Sequence, residues 1–522
     1  MIVAGVDFGT QSVRATLLDT KSGEVLGNEA QDYMVHRSGA NPLIATQSYS
    51  EQMSSLQIAL SRVLEKMGVQ GTEIESLSCA TTGSSVIFTD ENLEPVSDYY
   101  LWCDHRAHRE AEEITSRARA VDLEAIKWCG NTYSHEWGYA KVLHFLRNNG
   151  DMRKIATLAV ENCDMVTAVL CGITDPNALV RSVCAMGHKW MWNEKWGGYP
   201  SDAFLGTVDP LLGNASMFTR GTVKSQGEVA GRLCPTWAEK LGLRTGIPIA
   251  VGAFDAHWDA VGAGAVAGDM VNIIGTSTCM IGVLDTEPKP VVGICGIVPG
   301  SVLPNQVGVE AGLSAVGDIF ASIARRSNRS LAEMSQSLLD APRRMTGLLR
   351  VPWDNGDRTI LVDATVGGIL LGLDLEHTAE DELQAAIEGT AFQTKLILDH
   401  IGQGLGGFKR IINGGGIPAK NRLLNQIYAD VLNTEILVPE NVTTGLGPGI
   451  FSAVCAGAFA SIEEAQDAFC GKFDSFSPDP KFVQSYAQNY QMYFELYNSF
   501  GASIGQHSDI LRSLKSERNS SS

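Results

Sequence analysis

Two short apolar strands, each breaking into a turn of glycine and hydroxyl residues, constrain this 522-residue chain more than any other feature. The first is Gly5-Val6-Asp7-Phe8-Gly9-Thr10-Gln11-Ser12-Val13-Arg14; the second, half the chain later, ends in Gly275-Thr276-Ser277-Thr278. Glycine lets the backbone approach an anion closely, and clustered amides and hydroxyls donate hydrogen bonds without a fixed positive charge. One such turn in each half predicts a nucleoside triphosphate held between two domains.

The flanking pattern predicts an α/β start rather than a helical bundle. Residues 2–6 read as a buried strand, 13–18 as its hairpin partner, 48–67 as an amphipathic helix, and 76–80 as a strand breaking at Thr81-Thr82-Gly83-Ser84. After a helical, tryptophan-bearing middle, Pro248-Ile249-Ala250-Val251-Gly252 forms a compact strand and residues 271–274 begin the hairpin motif anew. Helices such as 381–402 follow, then Arg410-Ile411-Ile412 running into Asn413-Gly414-Gly415-Gly416. The order of elements repeats although the sequence does not. This predicts a first domain over 1–260, a second over 261–505, and a polar tail over 506–522 that frays.

A formal charge of -19 argues against nucleic acid or an acidic membrane face as partner, because phosphate backbones are gripped by clustered Lys and Arg. Any phosphate site must then be local, built from amides and metal. Eleven cysteines without a CxxC pair read as reduced and structural. The chain opens directly into a strand, with no apolar run near the ~18 residues of a membrane span, so a cytoplasmic protein is expected.

No GxxxxGK[ST] occurs, which closes the P-loop route to ATP, and Gly445, Gly447 and Gly449 resemble GxGxxG only loosely. Asp7, amid hairpin donors, is placed either to hold Mg²⁺ or to bond its own loop. Asp255, just past a strand, either orients and deprotonates an attacking hydroxyl or caps the following helix. An ordinary carboxyl with a pKa near 4 is a weak base toward an alcohol, so positioning is expected to outweigh basicity. Asp259, one helical turn on and deeper into the helix, is read as structural or as a group that supports the site without touching the ligand. Glu310, between 307–309 and Ala311-Gly312, requires a partner. Lys189 beside Trp190 and Trp192 reads on its own as a lysine snorkelling to water. Trp190, Trp192 and Trp196 read as packing, with a sugar-stacking wall as the alternative. His105 and His108 lack a third metal ligand nearby in sequence and are assigned a surface or core role.

Taken together, the acidic hairpin, the strand followed by Gly-x-x-Asp, the Gly-Thr-Ser-Thr turn and the glycine triplet before a helix resemble the FGGY carbohydrate kinases, from Val3 to about Phe459. The matching motifs are Asp7-Phe8-Gly9-Thr10, Gly252-Ala253-Phe254-Asp255, Gly275-Thr276-Ser277, Gly414-Gly415-Gly416 and Gly445-Leu446-Gly447-Pro448-Gly449. Within that family, Leu101-Trp102-Cys103-Asp104-His105-Arg106, Gly187-His188-Lys189, Asp255-Ala256-His257, Thr278-Cys279 and Glu310-Ala311-Gly312 look like the ribulokinase subgroup. The loop 33–49 and Met280 depart from it and leave the handedness of the sugar open.

The resemblance implies two actin/RNase H-like α/β domains around an interdomain cleft that holds ATP, Mg²⁺ and a small sugar, with a homodimer expected only on family likeness. It implies Gly9, Thr10, Ser12, Arg14, Gly275 and Thr276 at the phosphates, Gly414, Gly415 and Asn421 at the nucleoside, and Asp7 at the metal. Gly83, Asp104, Lys189, Asp255 and Glu310 are assigned to the sugar, with Asp255 as base. The expected reaction is phosphorylation of ribulose at O5; xylulose or ribitol, an actin- or chaperone-like ATPase and a non-catalytic sugar sensor are the alternatives.

Overall fold

The computed structural model describes residues 1–39, 41–441, 444–501 and 507–520. Ile2–Phe8 is buried from Val3 onward and pairs antiparallel with Ser12–Asp19, which pairs antiparallel with Glu24–Asp32. On its other side Ile2–Phe8 runs parallel to Ile74–Thr81, which runs parallel to Pro248–Ala250, and Val229–Arg232 closes the edge antiparallel. Parallel neighbours require a crossover. Here helix Tyr49–Met67 supplies it, started by the Ser48 side chain and stopped by Gly68 at φ 66°, with Met53, Leu56, Leu60 and Val63 buried against the sheet.

The second half repeats this order and sense strand for strand. Asp269–Ile274 is antiparallel to Thr278–Leu284, which is antiparallel to Val307–Leu313; on the other side it is parallel to Arg410–Gly414, then Ile436–Pro439, with Phe473–Phe476 antiparallel at the edge. Gly296–Pro299 adds one outer strand. Two α/β domains of actin/RNase H-like order are therefore present. The first also carries an inserted five-stranded sheet built from His36–Arg37, Ala45–Gln47, Tyr99–Tyr100, Val86–Thr89 and Leu158–Glu161. Among the described residues, no helix is long and apolar enough to cross a membrane.

The crossover of the second half is helix Ala379–Leu405, begun by a reciprocal Thr378–Asp381 capping box. Its Glu388 is buried and accepts hydrogen bonds from Gln384 Nε2 at 2.8 Å and Tyr486 Oη at 2.9 Å. Burial pushes that carboxyl up to about 7. Because the folded value exceeds the unfolded one, the stabilisation is fully present below about pH 4 and is lost as pH rises through about 7. We expect Glu388→Gln to flatten the decline of Tm between pH 5 and 8 seen by scanning calorimetry; an equally steep decline in the variant would contradict this.

Helix Leu446–Cys455 comes from the second half of the chain yet lies on the first sheet. A Cβ on Gly5 would meet Gly449 N at 2.3 Å, and one on Gly447 would meet the Trp258 carbonyl at 1.8 Å; Ser78 Oγ donates to Pro448 O. The Gly445-x-Gly-x-Gly spacing is thus a device for close backbone packing. Gly447→Ala should lose about 3 kcal/mol in urea unfolding, since the clash is with backbone that cannot rotate away.

Within the expected tail, Ser508–Ser520 forms a helix. Helix Ser508–Ser520 is tied to the loop beneath it by Arg512 to Asp363 at 2.7 Å and by Lys515 Nζ to the carbonyls of Ala364 and Val366 at 2.7 and 2.9 Å. Composition shows only that the tail is polar; the carboxylate and carbonyls that receive its cations lie some 150 residues away. Gln506, Ser521 and Ser522, which also belong to the expected tail, lie outside the described residues.

Candidate active site

A cavity of about 180 Å³ opens between the two halves. The first half lines it with Thr10, Thr82, Gly83, Trp102, Lys189, Asp255 and Asp259, and the second with Gly275, Thr276, Ser277, Cys279, Glu310 and Arg358.

Two carboxyls, Asp255 and Asp259, line the cavity, and Asp7, which is not on its wall, acts on both through its charge. Asp255 is the first residue of helix Asp255–Gly262, delivered there because Ala253–Phe254 extends the first sheet beside Ala80 and Thr81. Its Oδ1 accepts only the adjoining Ala256 N–H, at 2.7 Å, so it does not cap the helix at the usual later amides. Burial and the negative charge of Asp7 push it up to about 8. Asp7 is itself raised to about 6 by burial, against the pull of Arg14, which faces it across the hairpin register. Asp259, expected to be structural or supporting, lines the same cavity and is raised well above the carboxylate range by burial and by Asp7 and Asp255. Burial and the charge of Asp7 thus set Asp255 apart from an ordinary carboxyl and favour its uptake of a proton. Asp7 Oδ1 is buried with no hydrogen-bond partner. The orphaned hard oxygen of Asp7 suits a divalent cation such as Mg²⁺, although Asp7, Asp255 and Asp259 do not bring three ligand atoms within 4.8 Å of one another.

The two glycine turns close alike, Gly9 N donating to Ser12 O at 3.0 Å and Gly275 N to Ser277 O at 2.8 Å. Thr10 Oγ1 receives the Trp102 indole N–H at 3.0 Å. Gly275 O receives Gly317 N at 3.0 Å, and Gly415, at φ 94°, lies so near Ile274 that a Cβ would meet its carbonyl at 2.7 Å. Three glycine turns of the second half therefore converge at one end of its sheet.

Lys189 Nζ, on helix Val183–Lys189 and also on the cavity wall, donates to both oxygens of Glu310 at 2.7 and 2.9 Å. This buried pair joins the two halves and replaces the snorkelling reading of Lys189. Burial opposes ionisation of both members, but their mutual attraction outweighs it, raising Lys189 and holding Glu310 far below the usual carboxylate range. His188 Nδ1 and His257 Nε2 lie 3.4 and 3.8 Å from Glu310, and burial keeps both imidazoles neutral, His257 falling to about 4.

The FGGY family of carbohydrate kinases matches by its N-terminal domain model over residues 2–262 and by its C-terminal domain model over 270–456. The chain belongs to the FGGY family of carbohydrate kinases. It is 33% identical to a ribulokinase of Shouchella clausii, over 98% of this chain and 97% of that one, and 34% identical to a ribulokinase of Anoxybacillus flavithermus, over 98% and 96%. A ligand-bound xylulose kinase from Lactobacillus acidophilus superimposes with a TM-score of 0.82 over 97% of this chain and 99% of that one, at 18% identity, a likeness of fold.

In this FGGY kinase, Thr10, Gly275 and Thr276 of the expected nucleotide set line the cavity, whereas Gly9, Ser12, Arg14, Gly414, Gly415 and Asn421 do not. Arg14 donates to Asn28 Oδ1 at 2.7 Å, and Asn421 Oδ1 caps helix Arg422–Leu432 through Leu424 N at 3.0 Å. Of the expected sugar set, Gly83, Lys189, Asp255 and Glu310 line it; a Cβ on Gly83 would meet the Phe254 ring at 2.1 Å. Asp104 does not. It is gripped by Arg106 at 2.8 to 3.1 Å and by Ala45 N at 3.0 Å, and thereby holds the turn that presents Trp102.

Trp190 is fully buried and donates to Glu161 at 2.9 Å; Trp190, Trp192 and Trp196 are all absent from the cavity wall, as the packing reading expects. The reading of His105 needs correction, since folding brings His135 and Glu136 to it, with ligand atoms of all three within 4.8 Å. Trp102, His257, Cys279 and Arg358 were not assigned from the sequence. The first three lie in runs that resemble the family; Arg358 carries no local signal beyond the turn Asn355-Gly356-Asp357.

Proposed function

We propose that this FGGY kinase transfers the γ-phosphoryl group of ATP to the terminal O5 hydroxyl of ribulose, giving ribulose 5-phosphate and ADP. The carrying observation is that one cavity has a carboxyl near 8 at Asp255, glycine turns from both halves, and the Lys189–Glu310 pair. The names of the relatives at 33 to 34% identity support a ketopentose as the acceptor class.

Asp255 orients the O5–H and accepts its proton as the O5–P bond forms and the bond from phosphorus to the departing ADP oxygen breaks. A Mg²⁺ held by Asp7 would offset charge on the phosphates. Thr10, Gly275 and Thr276 supply hydroxyl and amide donors to the anion. Lys189 donates to sugar oxygens while Glu310 accepts from sugar hydroxyls, and approach of the two halves excludes the water that would compete as acceptor.

The test is ADP release against D- and L-ribulose, D- and L-xylulose, ribitol and glycerol. The highest kcat/KM is expected with one enantiomer of ribulose. ATP turnover indifferent to sugar would favour an ATPase, and sugar binding without ADP would favour a sensor; either result overturns the proposal.

A further inference from the structure

Arg358 is the least explained charge in the cavity. It lines the wall beside Glu310, its Nη2 3.8 Å from Glu310 Oε1 and beyond hydrogen-bond reach. Among the described residues the one hydrogen bond of its side chain is from Nη1 to the Cys279 thiol at 3.9 Å, a weak acceptor; its carbonyl accepts from Cys295 Sγ at 3.4 Å. A guanidinium carries five N–H donors, and this one is part-exposed, its side chain 19% accessible on the cavity wall. The vacant donors point to a ligand that brings oxygen acceptors.

The loop that presents Arg358 is held in a strained shape. Ile360 and Val362, both β-branched, sit at φ 82° and 51°, a conformation such residues adopt only where their surroundings impose it. Several bonds impose it. Asp357 and Asp363 exchange backbone hydrogen bonds at 2.9 and 2.7 Å, and Tyr497 Oη donates to Asp357 at 2.5 Å. Thr359 Oγ1 donates to Gly312 O at 2.8 Å and accepts from Gly312 N at 2.9 Å, while Ile360 N reaches Gly293 O at 3.0 Å. Gly312 lies two residues beyond Glu310 on Val307–Leu313, so the loop is registered directly to the strand that carries the sugar-facing carboxylate. Strain maintained by that much anchoring marks a residue whose direction matters.

Resting on the proposed ketopentose reading, we infer that Arg358 recognises the hydroxyketone end of an open-chain ketose. Its planar fork donates to two neighbouring oxygens, the C1 hydroxyl oxygen and the C2 carbonyl oxygen, at the end of the sugar away from the hydroxyl that Asp255 serves. A fork of parallel donors suits adjacent acceptors, which a lysine ammonium does not match. The carboxylates acting on Arg358 are Glu136 and Glu310, and the charged groups acting on Asp255 are Asp7, Glu310 and Lys189. Glu310 is common to both.

The test compares a ketopentose with its 1-deoxy counterpart in wild type, Arg358→Met and Arg358→Lys. Wild type should prefer the parent sugar in kcat/KM by about tenfold or more, because the deoxy sugar leaves a donor unpaired. In both variants the parent should lose about tenfold or more and the preference should fall to within about threefold of unity, with MgATP affinity unchanged. A merely structural arginine would depress both sugars alike and keep the preference, which would overturn the inference. Should Arg358→Met fail to fold, Arg358→Lys decides, since it keeps the charge and removes the fork. Wild type that phosphorylates no ketopentose would defeat the proposed function itself, and with it this inference, before either variant is compared.

Discussion

Asp255→Asn should lower kcat by about 10²-fold or more while sugar affinity barely changes. The amide has nearly the shape of the carboxyl and can still accept the Ala256 N–H that the carboxyl receives at 2.7 Å, so the start of helix Asp255–Gly262 should survive. What is lost is a proton acceptor that burial and Asp7 hold near 8. Steady-state kinetics beside sugar titration by calorimetry separates the two effects. Turnover within a few-fold of wild type would reject Asp255 as the base.

The second large effect is expected at the ion pair. Lys189→Met leaves Glu310 buried among neutral His188 and His257, with only Arg358, at 3.8 Å, as a remaining cation nearby. Removing one member of a buried pair typically costs about 3–5 kcal/mol, because the survivor keeps its desolvation penalty without its partner. Urea unfolding should show that loss, and KM for the sugar should rise steeply. Pairing the change with Glu310→Gln should recover most of the stability, since no uncompensated charge is then buried, but should not recover turnover. A single variant as stable as wild type, or a double variant that phosphorylates normally, would contradict the assignment of this pair.

The legible parts of this enzyme share a physical character. Gly9-Thr10 and Gly275-Thr276 could be recognised because a glycine turn after a buried strand is a local device, set by φ/ψ freedom and neighbouring donors. The duplicated strand order followed from hydrophobic runs and turn residues, again local quantities. Asp255 could be singled out because its place just beyond a strand is a matter of sequence distance. Arg358, by contrast, reaches the cavity only because Thr359 is bonded to Gly312 and Ile360 to Gly293, contacts that span tens of residues. The third ligand-type group beside His105, the docking of Arg512 on Asp363 and the packing of Gly447 on Trp258 are of the same kind.

The amino-acid order alone therefore determined the two α/β halves, the phosphate-type turns, the candidate base and the family, because each rests on propensity and spacing within a short window. Tertiary structure alone decided that Lys189 meets Glu310 across the halves, that Asp255 is buried beside Asp7 and so raised above an ordinary carboxyl, and that Asp104 turns to Arg106 instead of the cavity. The reason is that charge state and orientation depend on which groups exclude water and which charges stand within a few ångströms, and those neighbours come from distant parts of the chain.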